Sequence, residues 1–152
     1  MQYPADAFLQ QRKLEWSGWV RKAADMLLTR TIQVAVRDSP KTRTELNGLL
    51  DKHTVVEVSD RILYVLSKRL KSGLAYATLR HHVKEILYVA QTKTFVLCTI
   101  LQQLYDRGLV ELGLTKKIWC GTKIPNLMGL KPGDLRFKIT AAGWLQVQKG
   151  AQ

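Results

Sequence analysis

The chain has few cysteines, few acidic residues and no long apolar run. Its 152 residues include two cysteines, which lie 22 residues apart and form no CxxC motif. That usage is typical of a reduced, intracellular chain rather than of a disulfide scaffold. The longest apolar run, Phe95–Leu101, is interrupted by Thr99 and is far shorter than the roughly 20 residues that cross a bilayer. The first residues show no secretory pattern. We therefore expect no membrane partner and a location in the cytoplasm, nucleoid or nucleus.

The residue types that carry catalysis or bind metals do not fall into recognisable patterns. The 12 acidic residues are scattered, with no paired cluster for two-metal chemistry. His53, His81 and His82 have no ligand spacing with either cysteine. The sequence contains no GxxxxGK[ST] loop, no GxGxxG and no nucleophile motif. We therefore expect a protein that is not an enzyme, with no catalytic residue, no metal site and no cofactor. Only a site that converges in three dimensions would escape this reading.

Positive charge is abundant and unevenly distributed. The formal net charge is +12, which favours polyanionic partners, nucleic acid first and an acidic membrane surface second. Residues 1–57 carry nine Lys/Arg against seven Asp/Glu, whereas residues 58–152 carry 15 against five. General solubility explains such an asymmetry poorly. The second half of the chain is therefore where we expect a nucleic-acid interface.

Hydrophobic spacing predicts a long amphipathic helix from about Ala5 to Val34. At 1.5 Å per residue it would be about 42 Å long, more than a small domain needs to cover its own core. We therefore expect residues 1–57 to form a helical extension that joins two copies into a homodimer. The alternative is that this helix folds back over its own domain as ordinary core. The expected dimer contacts are Leu9, Trp16, Trp19, Val20, Ala23 and Leu27.

Capping signals and β-branched runs divide the rest of the chain. Thr42–Glu45 fits a capping box and predicts a short helix over Glu45–Lys52. The β-branched Thr54–Val58 predicts a short strand or extended link, after which Ser59 would cap a helix from Asp60 to about Lys71. Further predicted elements are helices at about Tyr76–Val89 and from Thr92 to Asp106, a stop at Gly108, strands at Leu109–Leu114 and Leu135–Ile139, and a last helix that Thr140 caps.

The order of these elements over about Ser59–Gln146 resembles the winged helix-turn-helix superfamily. Three helices are followed by Arg107–Glu111, a basic hairpin and Lys138–Gly143, in the order that this family shows. The resemblance implies a mainly α fold with a small antiparallel β wing in a domain of residues 58–152. It also implies that the third helix enters the major groove of DNA and that the wing touches the backbone or minor groove.

Carried over by position, the resemblance makes Thr92–Gln103 the recognition helix. Its polar residues could contact bases or phosphates: Lys93, Thr94, Thr99, Gln102 and Gln103. The same face of the protein would gain charge from Arg80 and Lys84 on the preceding helix. The wing would contribute a cluster suited to phosphates: Lys116, Lys117, Lys123, Lys131, Arg136 and Lys138.

The third helix departs from the family pattern, because its start is apolar rather than rich in polar residues. Phe95, Val96, Cys98 and Ile100 are not expected all to face the core together with the leucines beside them. Some of them should touch thymine methyls, another part of this chain or a protein partner. Phe95, Val96 and Ile100 are therefore our candidate contacts for a protein partner.

These observations favour a double-stranded DNA-binding protein. Transcriptional control, replication or mobile-element maintenance would each suit such a protein. The main alternative is a winged-helix adaptor that makes protein contacts inside a larger nucleic-acid-processing complex. RNA binding through the same basic face is a third possibility, although exposed aromatic residues for single-strand stacking are sparse.

Overall fold

The computed structural model describes residues 18–48, 50–87, 93–115 and 129–150. The fold is mainly helical with one small three-stranded antiparallel sheet, as the sequence predicts. Its elements in chain order are α1 (Gly18–Arg37), α2 (Arg43–Asn47), α3 (Lys52–Ser67), β1 (Leu74–Ala75), α4 (Tyr76–Val83), α5 (Lys93–Asp106), β2 (Val110–Leu114), a 3₁₀ turn (Pro132–Asp134), β3 (Leu135–Ile139) and α6 (Ala141–Gly150).

Helix α1 lies against the body of the same chain. Its apolar residues recur at helical spacing, and Val20, Ala24 and Leu28 are completely buried. The helix packs against α5 and against β2. Two polar contacts fasten it further: Arg21 Nη2 donates to Glu111 Oε1 at 3.0 Å, and Arg30 donates to the carbonyl oxygen of Leu130. Both contacts join α1 to the β2–β3 hairpin.

The packing of α1 corrects the predicted dimer interface. Val20, Ala23 and Leu27 are between 0% and 7% exposed within the single chain, so they are not available to a second copy. Trp19 is partly buried against the same core. Leu9 and Trp16 lie outside the described residues. The alternative prediction, a helix that folds back as ordinary core, describes α1 correctly from Gly18 onward.

The region around α3 also differs from the prediction. The N-cap predicted at Thr42 is confirmed, with Glu45 N donating to Thr42 Oγ1 at 3.2 Å, while the Glu45 carboxylate accepts from the Thr42 hydroxyl. The helix that it caps covers Arg43–Asn47 instead of the predicted Glu45–Lys52. Residues 54–58 are helical, however, because Asp51 caps α3 by accepting from Thr54 N. β-Branched residues disfavour a helix by only a few tenths of a kcal/mol, which the complete burial of Val58 outweighs. The boundary expected between residues 57 and 58 therefore falls inside a helix.

Three strands form the small sheet, and α4 follows directly after β1. The strand order is β1-β3-β2, and both pairs are antiparallel. The link from α3 to β1 passes close to β3 at Gly73, which has a φ of +65°. A side chain there would collide with the carbonyl oxygen of Phe137, so only glycine fits. Helix α4 ends at Val83, six residues before the predicted end.

Strand β2 lies at one edge of the sheet, yet all five of its residues are buried. Leu112 pairs with Phe137 across the strands, and Glu111 pairs with Lys138. Because side chains alternate along a strand, these two pairs lie on opposite faces of the sheet. Helix α1 packs against β2 and so covers β2 side chains that the other strands do not cover. The same packing makes this edge of the sheet less accessible to another strand.

The end of α5 and the start of α6 follow the sequence signals. Gly108 terminates α5 with a φ of +74°, and Leu109 N then donates to Leu104 O. Thr140 caps α6 by accepting from Gly143 N at 3.1 Å. Gly143 also lets α6 approach the strands, since a Cβ there would lie 2.7 Å from Cγ1 of Ile139. In the part of the chain that the structure describes, we find no helix with the length and hydropathy of a membrane span.

We expect Val20→Glu to unfold the protein rather than to dissociate a dimer. An uncompensated carboxylate at this buried position should lower the free energy of unfolding by more than about 3 kcal/mol. Met26 is the matched control, because it lies on the same helix with 48% of its surface exposed; Met26→Glu should change stability by less than about 0.5 kcal/mol. Urea denaturation and sedimentation equilibrium provide the measurements. A Val20→Glu variant that is a stable, folded monomer derived from a dimeric parent would contradict this packing.

Candidate nucleic-acid interface

Helix α5, the predicted recognition helix, is buried nearly all round. Phe95, Val96, Cys98 and Ile100 are each no more than 1% exposed, as are the leucines on the other side of the helix. The expectation that these residues could not all be covered is therefore wrong. It overlooked α1, which packs against α5 in addition to α3. Phe95, Val96 and Ile100 are core residues and offer no surface to a protein partner.

The predicted base-reading groups on α5 are mostly unavailable as well. Thr99 Oγ1 and Gln102 Oε1 are inaccessible to solvent, with no hydrogen-bond partner among the described residues. The amide Nε2 of Gln102 donates to Asp106 Oδ1 at 3.0 Å. Thr94 is half-buried, and only Gln103 is exposed. Lys93 is the first residue of the helix, but its side chain is not among the groups that the structure describes.

The predicted wing cations separate into three groups. Lys116, Lys117 and Lys123 lie outside the described residues. Lys131 is exposed beside the 3₁₀ turn, where its backbone N donates to Asp134 Oδ2 at 2.8 Å. The two cations of β3 are the remaining group, and their positions in the sheet decide what they can bind.

The β3 cations hold the fold rather than project into solvent. Lys138 is only 3% exposed and faces Glu111 across the strands, which corrects its assignment as a phosphate contact. Arg136 Nη2 donates to the carbonyl oxygens of Ser72 and Gly73 at 3.2 and 3.3 Å. Burial lowers the pKa of this guanidinium from its ordinary value. Arg136 thus ties β3 to the α3–β1 link.

A cationic cleft lies between α4 and the 3₁₀ turn. Arg80 and Lys84, both predicted from the sequence, reach it from α4 together with His81, and all three side chains are exposed. Across the cleft lie Pro132 and Gly133, directly after the exposed Lys131. The cleft encloses about 620 Å³. Its apolar walls come from Tyr76, Ala77, Leu87 and Pro132.

The cations of the cleft are not neutralised by neighbouring acids. None of Arg80, Lys84 and Lys131 forms an ion pair with any residue that the structure describes. Asp134 accepts the Lys131 backbone hydrogen bond at the far wall. Arg80 lies in the last turn of α4 and Lys84 is its C-cap residue, where positive charge also stabilises the helix dipole. Arg80 and Lys84 can therefore bind an anionic group from the α4 side of the cleft, while Lys131 is exposed next to the opposite wall.

Sequence reasoning missed the role of His81 and the walls of the cleft. Ala77, Arg80, His81 and Lys84 recur at i, i+3, i+4 and i+7, which places them on one helical stripe. That spacing could have identified His81 as a neighbour of the two cations. The opposite wall could not be found in the same way, because it comes from a turn about 50 residues later in the chain.

Beneath the cleft, Tyr76 and Cys98 form a buried pair of ionisable groups. Burial, with a smaller effect from Cys98, raises the pKa of the Tyr76 phenol well above its usual range. Burial also raises the pKa of the Cys98 thiol to about 12, against smaller opposing effects of the Tyr76 hydroxyl and the Arg80 charge. Cys98 is therefore a protonated thiol with little nucleophilic character near neutral pH.

Comparison with known proteins adds no family to this description. No family model matches the chain, and neither the curated proteins nor the solved structures include one that is significantly similar to it.

The buried thiol predicts a pH dependence of stability. The pKa of Cys98 is 9.0 ordinarily and about 12 when folded, so the unfolded chain loses this proton first as the pH rises. The stabilisation that the buried, protonated thiol gives to the folded state is complete below about pH 9. It is lost as the pH rises toward 12, at up to ~1.4 kcal/mol per pH unit. Between about pH 8.5 and pH 10.5 the free energy of unfolding should fall roughly 1–2 kcal/mol more in the parent than in Cys98→Ala.

Urea denaturation of both proteins across this pH range measures the difference. The comparison with Cys98→Ala is necessary because tyrosines and lysines titrate over the same range. Equal slopes in the two proteins would show that the thiol is not buried as described.

Proposed function

We propose that this chain binds double-stranded DNA mainly through its phosphates, as a winged helix-turn-helix module with an added N-terminal helix. The element order supports the module: α3, β1, α4 and α5 are followed by the β2–β3 hairpin, and β1 pairs with β3. Roles in transcriptional control, replication or mobile-element maintenance are all compatible with such a module.

The observation that carries the proposal is that Arg80 and Lys84, which form no ion pair with any described residue, lie across a cleft from a turn that directly follows the exposed Lys131. Arg80 and Lys84 on α4 face the turn that follows Lys131, and the space between them is a cleft rather than a packed contact. The described part of the β2–β3 connection continues into the segment with Lys116, Lys117 and Lys123. Basic groups on a helix and on a hairpin can contact neighbouring phosphates of one duplex.

Burial on α5 favours phosphate binding over base reading. Base contacts require side chains that reach into a groove, and the Thr99 hydroxyl does not reach solvent at all. Gln103 is exposed but lies one helical turn from the acidic Asp106. A protein that contacts phosphates without bases binds many sequences with similar affinity and depends strongly on salt.

We expect removal of the cleft cations to weaken duplex binding and to flatten its salt dependence. Each phosphate contact contributes about 0.9 to the slope of log affinity against log salt, so the triple variant Arg80→Ala, Lys84→Ala, Lys131→Ala should lower that slope by up to about 2–3. Fluorescence anisotropy with a labelled duplex over a salt series is the measurement.

A second triple variant controls for net charge. Lys22, Lys52 and Lys149 are exposed lysines on α1, α3 and α6, and their replacement by alanine removes the same charge from other surfaces. For this variant, the slope of log affinity against log salt should differ from that of the parent by no more than about 0.9, the contribution of one phosphate contact. If both triple variants lose affinity equally, the attraction is general and the cleft is not the binding site.

We also expect weak sequence preference. The affinities of unrelated duplexes of equal length should agree within about threefold, because phosphates are common to all of them. A selection from random duplexes followed by competition measures this directly. Enrichment of one site by about a hundredfold or more would mean that α5 or another element reads bases.

A second candidate function, a protein-interaction adaptor, has a different surface in its favour. A groove of about 440 Å³ lies between α3 and α6 and is lined partly by Leu63, Tyr64 and Val147. Tyr64 is 54% exposed, with Lys68 placed 5.2 Å from the centre of its ring. Absence of binding to any duplex at low salt would favour this function over the first.

A further inference from the structure

The α4 cleft is larger and less polar than a contact to a duplex backbone requires. Its volume of about 620 Å³ falls within the range of roughly 300–1,000 Å³ that is usual for small-ligand sites. Ala77, Leu87 and Pro132 supply apolar walls, whereas Arg80, His81 and Lys84 lie along one side. A site with an apolar interior and a cationic side suits a ligand that has a flat organic part and an anionic group.

The spacing of the cations favours an anion with more than one negative charge. Arg80 and Lys84 are four residues apart and so lie on one face of α4. Arginine binds phosphate oxygens with two parallel donors, lysine adds a point charge, and His81 adds a further hydrogen-bonding group. A phosphodiester has one negative charge, but a phosphate monoester carries about −1.5 to −2 at pH 7. The monoester matches this stripe better.

We propose that the cleft binds a nucleotide with a terminal phosphate monoester, the base and sugar lying against the apolar walls and the phosphate beside Arg80 and Lys84. This chemistry occurs at a 5′-phosphorylated DNA end and in a free deoxynucleoside monophosphate. The inference deepens the proposed function, since the same face of α4 would bind the duplex and select its end.

The decisive probe is a DNA hairpin that has one end, a short 5′ overhang and a fluorophore in its loop. The hairpin is prepared with a 5′-phosphate or a 5′-hydroxyl and is otherwise identical. We expect the phosphorylated form to bind about tenfold more tightly, which is ~1.4 kcal/mol at 25 °C. Free deoxynucleoside monophosphate should remove this advantage by competition. The unphosphorylated nucleoside and inorganic phosphate should each be much weaker competitors.

A pair of tryptophan substitutions tests the cleft without changing its charge. Ala77 is exposed and lines the cleft, whereas the neighbouring Thr78 is exposed and does not. Ala77→Trp should fill the space and abolish the preference for the 5′-phosphate, so that the two hairpins bind with equal affinity. Thr78→Trp should preserve both affinities. Circular dichroism and thermal unfolding confirm that both variants are folded.

The outcomes separate this inference from the proposed function. If both hairpins bind equally with a steep salt dependence, and free nucleotide does not bind, the end-selecting cleft is wrong and duplex binding stands. If free nucleotide binds but no hairpin does at low salt, the cleft assignment stands and duplex binding is wrong. Inorganic phosphate competing as well as the nucleotide would overturn the role of the apolar walls, as would an end preference that survives Ala77→Trp.

Discussion

The packing of α1 against α5 and β2 is the constraint from which the rest of the structure follows. A helix that is apolar on all sides must be covered on all sides, and α5 has this character from Phe95 to Leu101. Helix α3 and the sheet cover only part of such a helix. Helix α1 supplies the missing cover with Val20, Ala24 and Leu28. Its cost is the burial of Glu111, which is offset by the ion pair to Arg21.

This packing leaves α5 with little exposed polar surface. A helix that serves as the centre of a core cannot also present a row of polar side chains to a groove, because each buried polar atom without a partner costs about 1–3 kcal/mol. Thr99 Oγ1 and Gln102 Oε1 are already buried without a partner among the residues that the structure describes. The neighbouring α4 has the opposite character, with Arg80, His81 and Lys84 in contact with solvent. The duplex binding that we propose therefore relies on α4 rather than on α5.

Local signals in the sequence predicted the elements well where one residue decides the outcome. The capping threonines Thr42 and Thr140 and the terminating Gly108 act as expected, because each needs only its immediate neighbours. The expected strand at residues 54–58 failed for a nonlocal reason. Val58 is buried in a core that includes α1 and the hairpin, and this tertiary burial outweighs the modest strand preference of a β-branched run.

The candidate site was predictable only in part, and for the same reason. Spacing along α4 groups Arg80 with Lys84, but spacing along β3 groups Arg136 with Lys138 equally well. The two pairs differ in what lies opposite them in the fold. Lys138 faces a buried carboxylate across the sheet, and Arg136 binds the carbonyl oxygens of the α3–β1 link, whereas the α4 pair faces an open cleft.

A count of cations consequently overestimates the binding surface, because a cation that already stabilises the fold is less available to release counterions from DNA. Lys138 and Arg136 should affect stability more than affinity, and Arg80 and Lys84 the reverse. The β3 cations thus contact other parts of the fold, whereas the α4 cations face a cleft.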